Sequence, residues 1–289
     1  MPYIMQLKYL VKQVQQGKAR FDGGYFTSYR HFEPEVLSKY IYQTQFVEKL
    51  GLDPTRDLIE NGITWHMNVG GIHVNGRSME SGIPGLFVAG SVSALVTGGI
   101  PNVMYDGFVA AQQAAEFIGS RRLPGLDEER VDRDLRRVQR YFRTEPQQGL
   151  LPAQVIKQIR TVMWEHMNYI KSESTMREGL RELGRIREEK LPRMRLESTT
   201  RRFNYDWMEA VDAEDMLDAC ELVIRFSLYR QESRGAFFRA DYPLTDNLRW
   251  LRHVVGRREN GSVKIEDMPV ALPYARPAEG KADFFEVDY

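Results

Sequence analysis

The chain changes character at residues 63–120, where a glycine-rich stretch interrupts long segments of helical periodicity. Leu86–Ala89 is a continuous apolar run that ends at Gly90 and Ser91. This pattern is typical of a strand that is buried on both faces and opens into a site at its end. Asp106 to Ile118 has the helical period, and Gly119 is its predicted stop. The predicted packed face of this helix consists of Phe108, Ala111, Ala115 and Ile118.

The segments on either side are predicted to be mainly helical. Residues 3–16 have the spacing of a short amphipathic helix that ends near Gly17, and Pro34 begins a single helix that runs to Gly51. Residues 21–32 are aromatic and glycine-rich and predict a strand or extended loop. Four more amphipathic patterns follow Asp127, the predicted N-cap of the first of them, and predict a helical bundle. The last residues, 273–289, are expected to lie on a neighbouring chain.

Composition excludes several classes of function. Forty basic and forty acidic residues cancel, so no long-range field favours nucleic acid or an anionic membrane. The sequence has no run of eighteen apolar residues and no secretory signal, which predicts a cytoplasmic chain without a membrane span. Cys220 is the only cysteine, so this chain cannot hold an iron–sulfur cluster, and mid-helix it is expected to be inert. His73, His166 and His253 lack metal-ligand spacing, and no metal is predicted.

Two ordered sets of motifs resemble one flavoprotein family. The first set is His66, Gly70-Gly71-Ile72, Ile83 to Gly90, Gly98-Gly99 and the alanine-rich helix after Gly107. The second set is Glu232 to Pro243, reading ESRGAFFRADYP, followed by Trp250-Leu251-Arg252-His253. Together they resemble the C-terminal half of succinate dehydrogenase and fumarate reductase flavoproteins. Aspartate oxidases and, more distantly, adenylylsulfate reductases are further relatives of that family.

The resemblance implies an α+β chain with four parts. Residues 1–62 would be the end of a capping domain, and residues 63–120 the C-terminal part of a glutathione-reductase-like FAD-binding domain. Residues 121–240 would be the helical bundle domain. Residues 241–289 would be a C-terminal extension with a small strand region.

The family's dinucleotide fingerprint, Gly-x-Gly-x-x-Gly after a strand, occurs nowhere in this sequence. That turn places the pyrophosphate of FAD on a helix N-terminus, and a complete FAD site is hard to build without it. The resemblance therefore implies FAD shared with a partner chain that carries the N-terminal flavoprotein half. It also implies an iron–sulfur electron-transfer subunit as a second partner.

The resemblance assigns site residues as well. His66 would hold a substrate carboxylate over the flavin, or alternatively bond to nearby backbone, and Arg234 is a second candidate for substrate binding. The segment Glu232 to Asp241 can also be interpreted as a structural ion-pair network. The candidate flavin contacts are Gly70, Gly71, Gly90, Ser91, Asn102, Val103 and Met104. Gly90 and Ser91 could instead form a tight turn near no ligand.

Three departures from the family pattern bear on function. The loop from Gly98 to Tyr105 lacks the arginine that clamps the family's dicarboxylate, Ser91 replaces an acidic residue, and Phe237 replaces a histidine. We therefore expect a subunit of a split FAD-dependent oxidoreductase whose substrate is not succinate or fumarate. The alternatives are a non-catalytic structural subunit derived from a flavoprotein and a truncated record of a longer protein.

Overall fold

The computed structural model describes residues 3–19, 25–61, 70–95, 99–120, 125–142, 149–259, 262–272, 274 and 276–286. Helices and short strand pairs occur together, which confirms the α+β prediction. No described helix has the length and apolar content that a membrane span requires.

The N-terminal part contains three helices and one strand pair. Helix α1 (Tyr3–Gln15) ends where predicted, at Gly17 with φ of +70°. The predicted single helix from Pro34 is divided into α2 (Pro34–Ser38) and α3 (Ile41–Lys49). The division occurs because Tyr40 leaves the helical region, with φ −105° and ψ 46°. Strands β1 (Tyr25–Thr27) and β2 (Ile59–Asn61) pair antiparallel.

Residues 70–95 form a layer of turns joined by isolated bridges, so the prediction of a regular strand at Leu86–Ala89 is wrong. Phe87 forms an isolated β-bridge with Glu80. Leu86 is 41% exposed, so the run is not buried on both faces. The physical reason is that the run pairs on one side only among the described residues, through hydrogen bonds to the segment 79–81. A strand buried in a sheet needs neighbours on both sides.

The following helix, α4 (Ile100–Ser120), is longer than predicted, and its packed face was predicted wrongly. Phe108 and Ile118, predicted to pack, are 67% and 61% exposed. The face that packs on the turn layer instead includes Val103, Ala110 and Phe117. Apolar residues thus occupy two sides of α4, which made the sequence pattern ambiguous.

The helical region has its own core. The elements of this region are α5 (Glu128–Gln139), α6 (Pro152–His166), α7 (Glu173–Arg185), a π-helical turn (Ile186–Lys190) and α8 (Tyr205–Tyr229). Asp127 caps α5, as predicted, by accepting a hydrogen bond from the Arg130 amide. Short 3-10 turns lie at Gly90–Val92, Arg140–Phe142 and Leu191–Arg193.

Short strands join the C-terminal part to the rest of the chain. Strand β3 (Ile170–Lys171) pairs parallel with β4 (Phe238–Arg239), β5 (Leu244–Asp246) antiparallel with β8 (Lys281–Asp283), and β6 (Arg252–Glu259) antiparallel with β7 (Ser262–Pro269). Phe284 is buried against Phe238 and Val11 of α1. The expectation that the last residues lie on a neighbouring chain is therefore wrong for Lys281 to Phe285, which pack on their own chain.

Candidate functional site

Three sequence-predicted segments meet at the start of α4. The Ile72 amide donates to the Val92 carbonyl oxygen (2.9 Å), and the Ala94 amide donates to the Ile72 carbonyl oxygen (2.9 Å). These bonds hold the Gly70-Gly71 segment beside the turn at Gly90. The structure thus brings together Gly70, Gly71, Gly90, Ser91 and the first turn of α4, which contains Asn102, Val103 and Met104.

Two of these glycines are required by geometry. A Cβ atom on Gly71 would lie 2.8 Å from the carbonyl carbon of Val92, closer than real Cβ atoms approach. Gly90 has φ of +76°, a conformation that favours glycine, and it faces the side chain of Val103. The site therefore depends on close backbone approach rather than on side-chain packing.

Ser93 fixes the turn and was missed by sequence reasoning. Its side chain is buried, and its hydroxyl donates to the carbonyl oxygen of Gly90 (2.9 Å). A small hydroxyl residue three positions after a strand-ending glycine was the signal available in the sequence. Ser91 and Met104 are exposed beside this turn. His66 lies outside the described residues, so its predicted role stays a prediction.

The chain is similar to known flavoproteins. Residues 156–282 match the family model described as fumarate reductase flavoprotein C-term. The chain matches the C-terminal part of a succinate dehydrogenase/fumarate reductase-type flavoprotein. An uncharacterized FAD-dependent oxidoreductase of Methanocaldococcus jannaschii is 26% identical over 256 residues, which are 85% of this chain and 45% of that protein. The fumarate reductase flavoprotein subunit of Haemophilus influenzae is 25% identical over 79% of this chain and 39% of its own length.

Solved structures show the same fold. Sdh1 of Mycobacterium smegmatis, in complex with UQ1, superposes with a TM-score of 0.79 at 26% identity, covering 95% of this chain and 48% of that chain. The E. coli quinol fumarate reductase FrdA gives a TM-score of 0.81 at 20% identity, covering 93% of this chain and 48% of that chain. The chain spans about half the length of the relatives it matches.

The second flavoprotein motif of this chain forms a buried ion-pair network. Glu232 and Arg239 are fully buried. Glu232 accepts hydrogen bonds from Arg230, from Arg234 (2.9 and 3.0 Å) and from the Asp246 amide (3.0 Å). Burial lowers the pKa of Arg230 although Glu232 favours its charged form. Arg234 also donates to the Asn247 side chain (2.8 Å), which leaves its Nη1 without a hydrogen bond to any described residue.

Arg239 links the motif to the helical region. Its Nη1 donates to the carbonyl oxygens of Ser227, Leu228 and Arg230 at the end of α8, at 3.0–3.1 Å. It also forms an ion pair with Asp241. Burial alone would raise the pKa of Asp241, but the hydrogen bonds from Arg239 and from the Glu173 amide outweigh burial and lower it.

Two further groups have altered proton affinity because of burial. Lys171 is almost completely buried, and burial together with the nearby Arg239 lowers its pKa to about 7. Its Nζ donates to the carbonyl oxygens of Tyr169 (3.1 Å) and Phe238 (3.2 Å) and lies over the Phe237 ring. Burial raises the pKa of Cys220 to about 11, which agrees with an inert thiol.

One cluster of possible metal ligands lies among the described residues, between α6 and α7. Glu165, His166 and Glu182 each offer one atom, and these atoms lie within 4.8 Å of one another. Spacing along the sequence did not reveal it, because Glu182 comes from a different helix. His166 Nε2 is 3.4 Å from Glu182 Oε2, the distance of an ion pair.

The residues at the turn fit one side of a flat cofactor. Among the described residues no heavy atom lies within 4 Å of the Cβ position of Gly70, whose φ is +125°, so a ring could approach the backbone there. The exposed Ser91 hydroxyl provides a hydrogen-bond donor on the neighbouring turn. The opposite side of such a cofactor would need groups that these segments do not supply.

Proposed function

We propose that this chain completes the flavin and substrate cleft of an FAD-dependent oxidoreductase of the fumarate reductase/succinate dehydrogenase type. A partner chain would carry the dinucleotide fingerprint, which this sequence lacks. The observation that carries the proposal is that the Gly70-Gly71 segment is held beside the turn at Gly90, which contacts Val103 of α4, in a unit that exposes many large apolar side chains. These segments would line one side of the cofactor, and the partner chain would line the other.

The apolar surface supports a partner. Large apolar side chains are exposed both along α4 and in the turn layer. Exposed apolar side chains concentrated in one unit are expected at an interaction site of a soluble protein. The members of this surface are Ile72, Ile83, Leu86, Val92, Ile100, Met104, Tyr105, Phe108 and Ile118.

FAD would supply the hydride chemistry of the reaction. Gly70 and Gly71 would let the ring approach the backbone, and Ser91 would bond a flavin hydroxyl. Asn102, Val103 and Met104, near the N-terminal end of α4, would contact the cofactor. His66 would donate a hydrogen bond to a substrate anion and so hold it over the ring.

The substrate is proposed to differ from succinate and fumarate. The segment 98–105 contains no arginine, and a lost charge-assisted pair would cost about 2–5 kcal/mol if a dicarboxylate were bound there. The free Nη1 of Arg234 is the candidate group for a substrate anion, although Glu232 and Asn247 already hold the rest of that guanidinium. The site would therefore offer less positive charge to a bound anion. A substrate that is an activated alkene or alkane related to a dicarboxylate agrees with this.

Electrons would pass to or from an iron–sulfur cluster on another subunit, because the single Cys220 cannot ligate one. We also propose that the complex is cytoplasmic, since no described helix is long and apolar enough to cross a membrane.

Co-purification tests the proposal. The chain is expressed alone and together with the polypeptide that carries the fingerprint, and the flavin absorbance of each preparation is recorded. We expect flavin only in the joint preparation. A yellow protein obtained from this chain alone would contradict the shared site.

The second candidate function is a structural subunit without chemistry. Ser91 in place of an acidic residue and the loop without arginine favour it. Changing His66 to Ala in the assembled complex separates the two, with His73→Ala, an exposed histidine in the same region, as the control. Turnover that drops only for His66→Ala supports catalysis, and unchanged turnover in both supports the structural role.

A further inference from the structure

The junction between α6 and α7 brings one histidine and two glutamates together. Glu165 and His166 stand at the C-terminal end of α6, and Glu182 lies in the last turn of α7. Gly179 lets the two helices approach, because a Cβ atom there would lie only 3.0 Å from the His166 Cβ atom. Glu182 follows Gly179 by three positions and so lies on the same face of α7. The His166 ring therefore reaches the Glu182 carboxylate, with Nε2 3.4 Å from Oε2.

The Nε2 atom of His166 lacks a partner. It is shielded from solvent, and it makes no hydrogen bond to any described residue. Glu182 Oε2 is near, but the two atoms do not have the direction of a hydrogen bond. A buried polar atom without a partner costs free energy. A metal ion bound to Nε2 would remove that cost, since histidine is the commonest metal ligand in proteins.

The two carboxylates of the cluster lack a basic countercharge. Among the described residues, no lysine or arginine forms an ion pair with Glu165 or Glu182. By contrast, Glu173 and Glu178 of α7 each form an ion pair with an arginine. One oxygen of each cluster carboxylate lies within 4.8 Å of the other and of a ring nitrogen of His166. Like charges at this distance repel, and a cation between them would offset the repulsion.

The geometry of the cluster suits zinc. Zinc binds histidine nitrogen and carboxylate oxygen at about 2.0–2.2 Å, and two such ligands at the tetrahedral angle are about 3.4 Å apart. That is the distance between His166 Nε2 and Glu182 Oε2. Glu165 is exposed, so its carboxylate can turn towards the ion and a metal can enter from solvent. The negative end of the α6 dipole also favours a cation at this place.

We propose that Glu165, His166 and Glu182 bind one zinc-type divalent cation, which ties the end of α6 to α7. The two carboxylates neutralise the charge of the ion, and water takes the fourth position. The proposal concerns the helical region and does not rest on the proposed function. It replaces the expectation of no metal, which considered spacing along the chain only, whereas Glu182 comes from a second helix.

Zinc binding by the full chain tests the proposal. The chain is freed of metal with a chelator, and a zinc salt is titrated against it in competition with a chromogenic zinc chelator. We expect one bound zinc ion per chain. We also expect zinc to raise the midpoint of thermal unfolding, because an ion that binds only the folded chain stabilises it. A chain that binds no zinc overturns the proposal.

Matched variants locate the ion. Glu182→Gln keeps the size of the side chain and should weaken zinc binding at least about 10-fold and reduce the rise in the unfolding midpoint. Glu173→Gln, on the same helix but outside the cluster, should bind zinc like the parent chain. His166→Gln should weaken zinc binding as Glu182→Gln does, and His73→Gln, which changes an exposed histidine, is its control.

Two results of the variant series overturn the proposal. Equal zinc affinity in the parent chain, Glu182→Gln and His166→Gln would show that the ion binds elsewhere and is adventitious. A loss in Glu173→Gln as large as that in Glu182→Gln would show that affinity follows net charge and not ligation. If His166→Gln does not fold, Glu182→Gln decides alone, because the Glu182 side chain is 33% exposed and its change leaves the contact of His166 with Gly179 intact.

Discussion

The helical region and the unit at residues 70–120 differ in how much of their apolar surface they bury themselves. The main core of the helical region contains fifteen buried apolar residues, all between Tyr141 and Ile224. The core of the unit contains four, Val74, Met79, Val88 and Ala110. Yet among the described residues the unit exposes nine large apolar side chains, whereas the longer helical region from α5 to α8 exposes six, Val131, Leu135, Trp164, Phe203, Tyr205 and Met208.

The helical region and the unit at residues 70–120 therefore differ in role, the first in the stability of the chain and the second in the candidate site. The helical region closes its own core and anchors the C-terminal motif through a buried network. The unit that carries the candidate site leaves its apolar surface open, as expected if another polypeptide completes its core. Changes to the network should therefore affect the free chain, whereas changes to the unit's open surface should affect assembly.

Removing the buried cation of the network should have the largest effect. Arg239→Met leaves Asp241 unpaired and three carbonyl oxygens at the end of α8 without their donor. We expect a loss of about 3–5 kcal/mol in the free energy of unfolding, measured by urea denaturation. Arg257→Met, which removes an exposed ion pair with Glu266, should cost no more than about 1 kcal/mol. Equal losses in both variants would contradict a structural role for the network.

The pH dependence of stability should report Lys171. Its pKa is about 7 in the folded chain against an ordinary value of 10.5, so between these values the unfolded chain binds a proton that the folded chain has released. The free energy of unfolding should therefore rise with pH between these two values, by up to about 1.4 kcal/mol per pH unit from Lys171. Below pH 7 the full destabilisation caused by burying the protonated lysine is present.

Lys171→Met should flatten that rise, which is measured by urea denaturation at a series of pH values. Lys264→Met is the control, because Lys264 is half-exposed and its removal should leave the slope unchanged. A slope that is the same in the parent chain and in Lys171→Met would contradict the altered pKa.

The sequence predicted the self-contained region well. Amphipathic periodicity located α6 and α7, because a helix that packs on one side has one apolar face, and the Asp127 cap located the start of α5. The structure also holds Gly70 and Gly71 beside the turn at Gly90, which contacts Val103 of α4, so several residues that the resemblance selected as flavin contacts lie near one another. The flavin role of those residues and the role of His66 stay predictions.

Prediction from the sequence failed where the packing of the unit at residues 70–120 depends on neighbours that the described residues do not supply. Leu86–Ala89 has the composition of a central strand, but a strand requires a neighbour on each side, and composition does not say which chain supplies it. On α4, apolar residues on two sides hid which side packs internally. The tail 281–285 was placed on another chain because local polarity does not reveal pairing with β5, a long-range contact.

A change inside the turn layer should have an intermediate effect. Gly71→Ala forces a Cβ atom against the backbone of Val92, which cannot move away as a side chain could. We expect a local loss of about 1–3 kcal/mol, seen as faster exchange of the Ile72 and Ala94 amides. In Gly107→Ala, in the middle of α4, the new Cβ atom meets no atom of the described part of the chain within 4 Å, so the variant should stabilise the helix by about 0.5–1 kcal/mol. Slower or unchanged exchange in Gly71→Ala would show that the close approach is not required.

The smallest effect on the free energy of unfolding of the free chain should come from a change among the exposed apolar residues of α4. Phe108→Glu changes a residue that is 67% exposed, so the free energy of unfolding should stay within about 0.5 kcal/mol of the parent. The same variant should reduce binding of a hydrophobic dye and weaken assembly with the flavin-carrying partner. Gln112→Glu, one turn further along α4 and already polar and exposed, should leave dye binding and assembly unchanged. Loss of stability in Phe108→Glu would mean that these apolar residues pack within this chain, and the contrast between the two regions would then have to be abandoned.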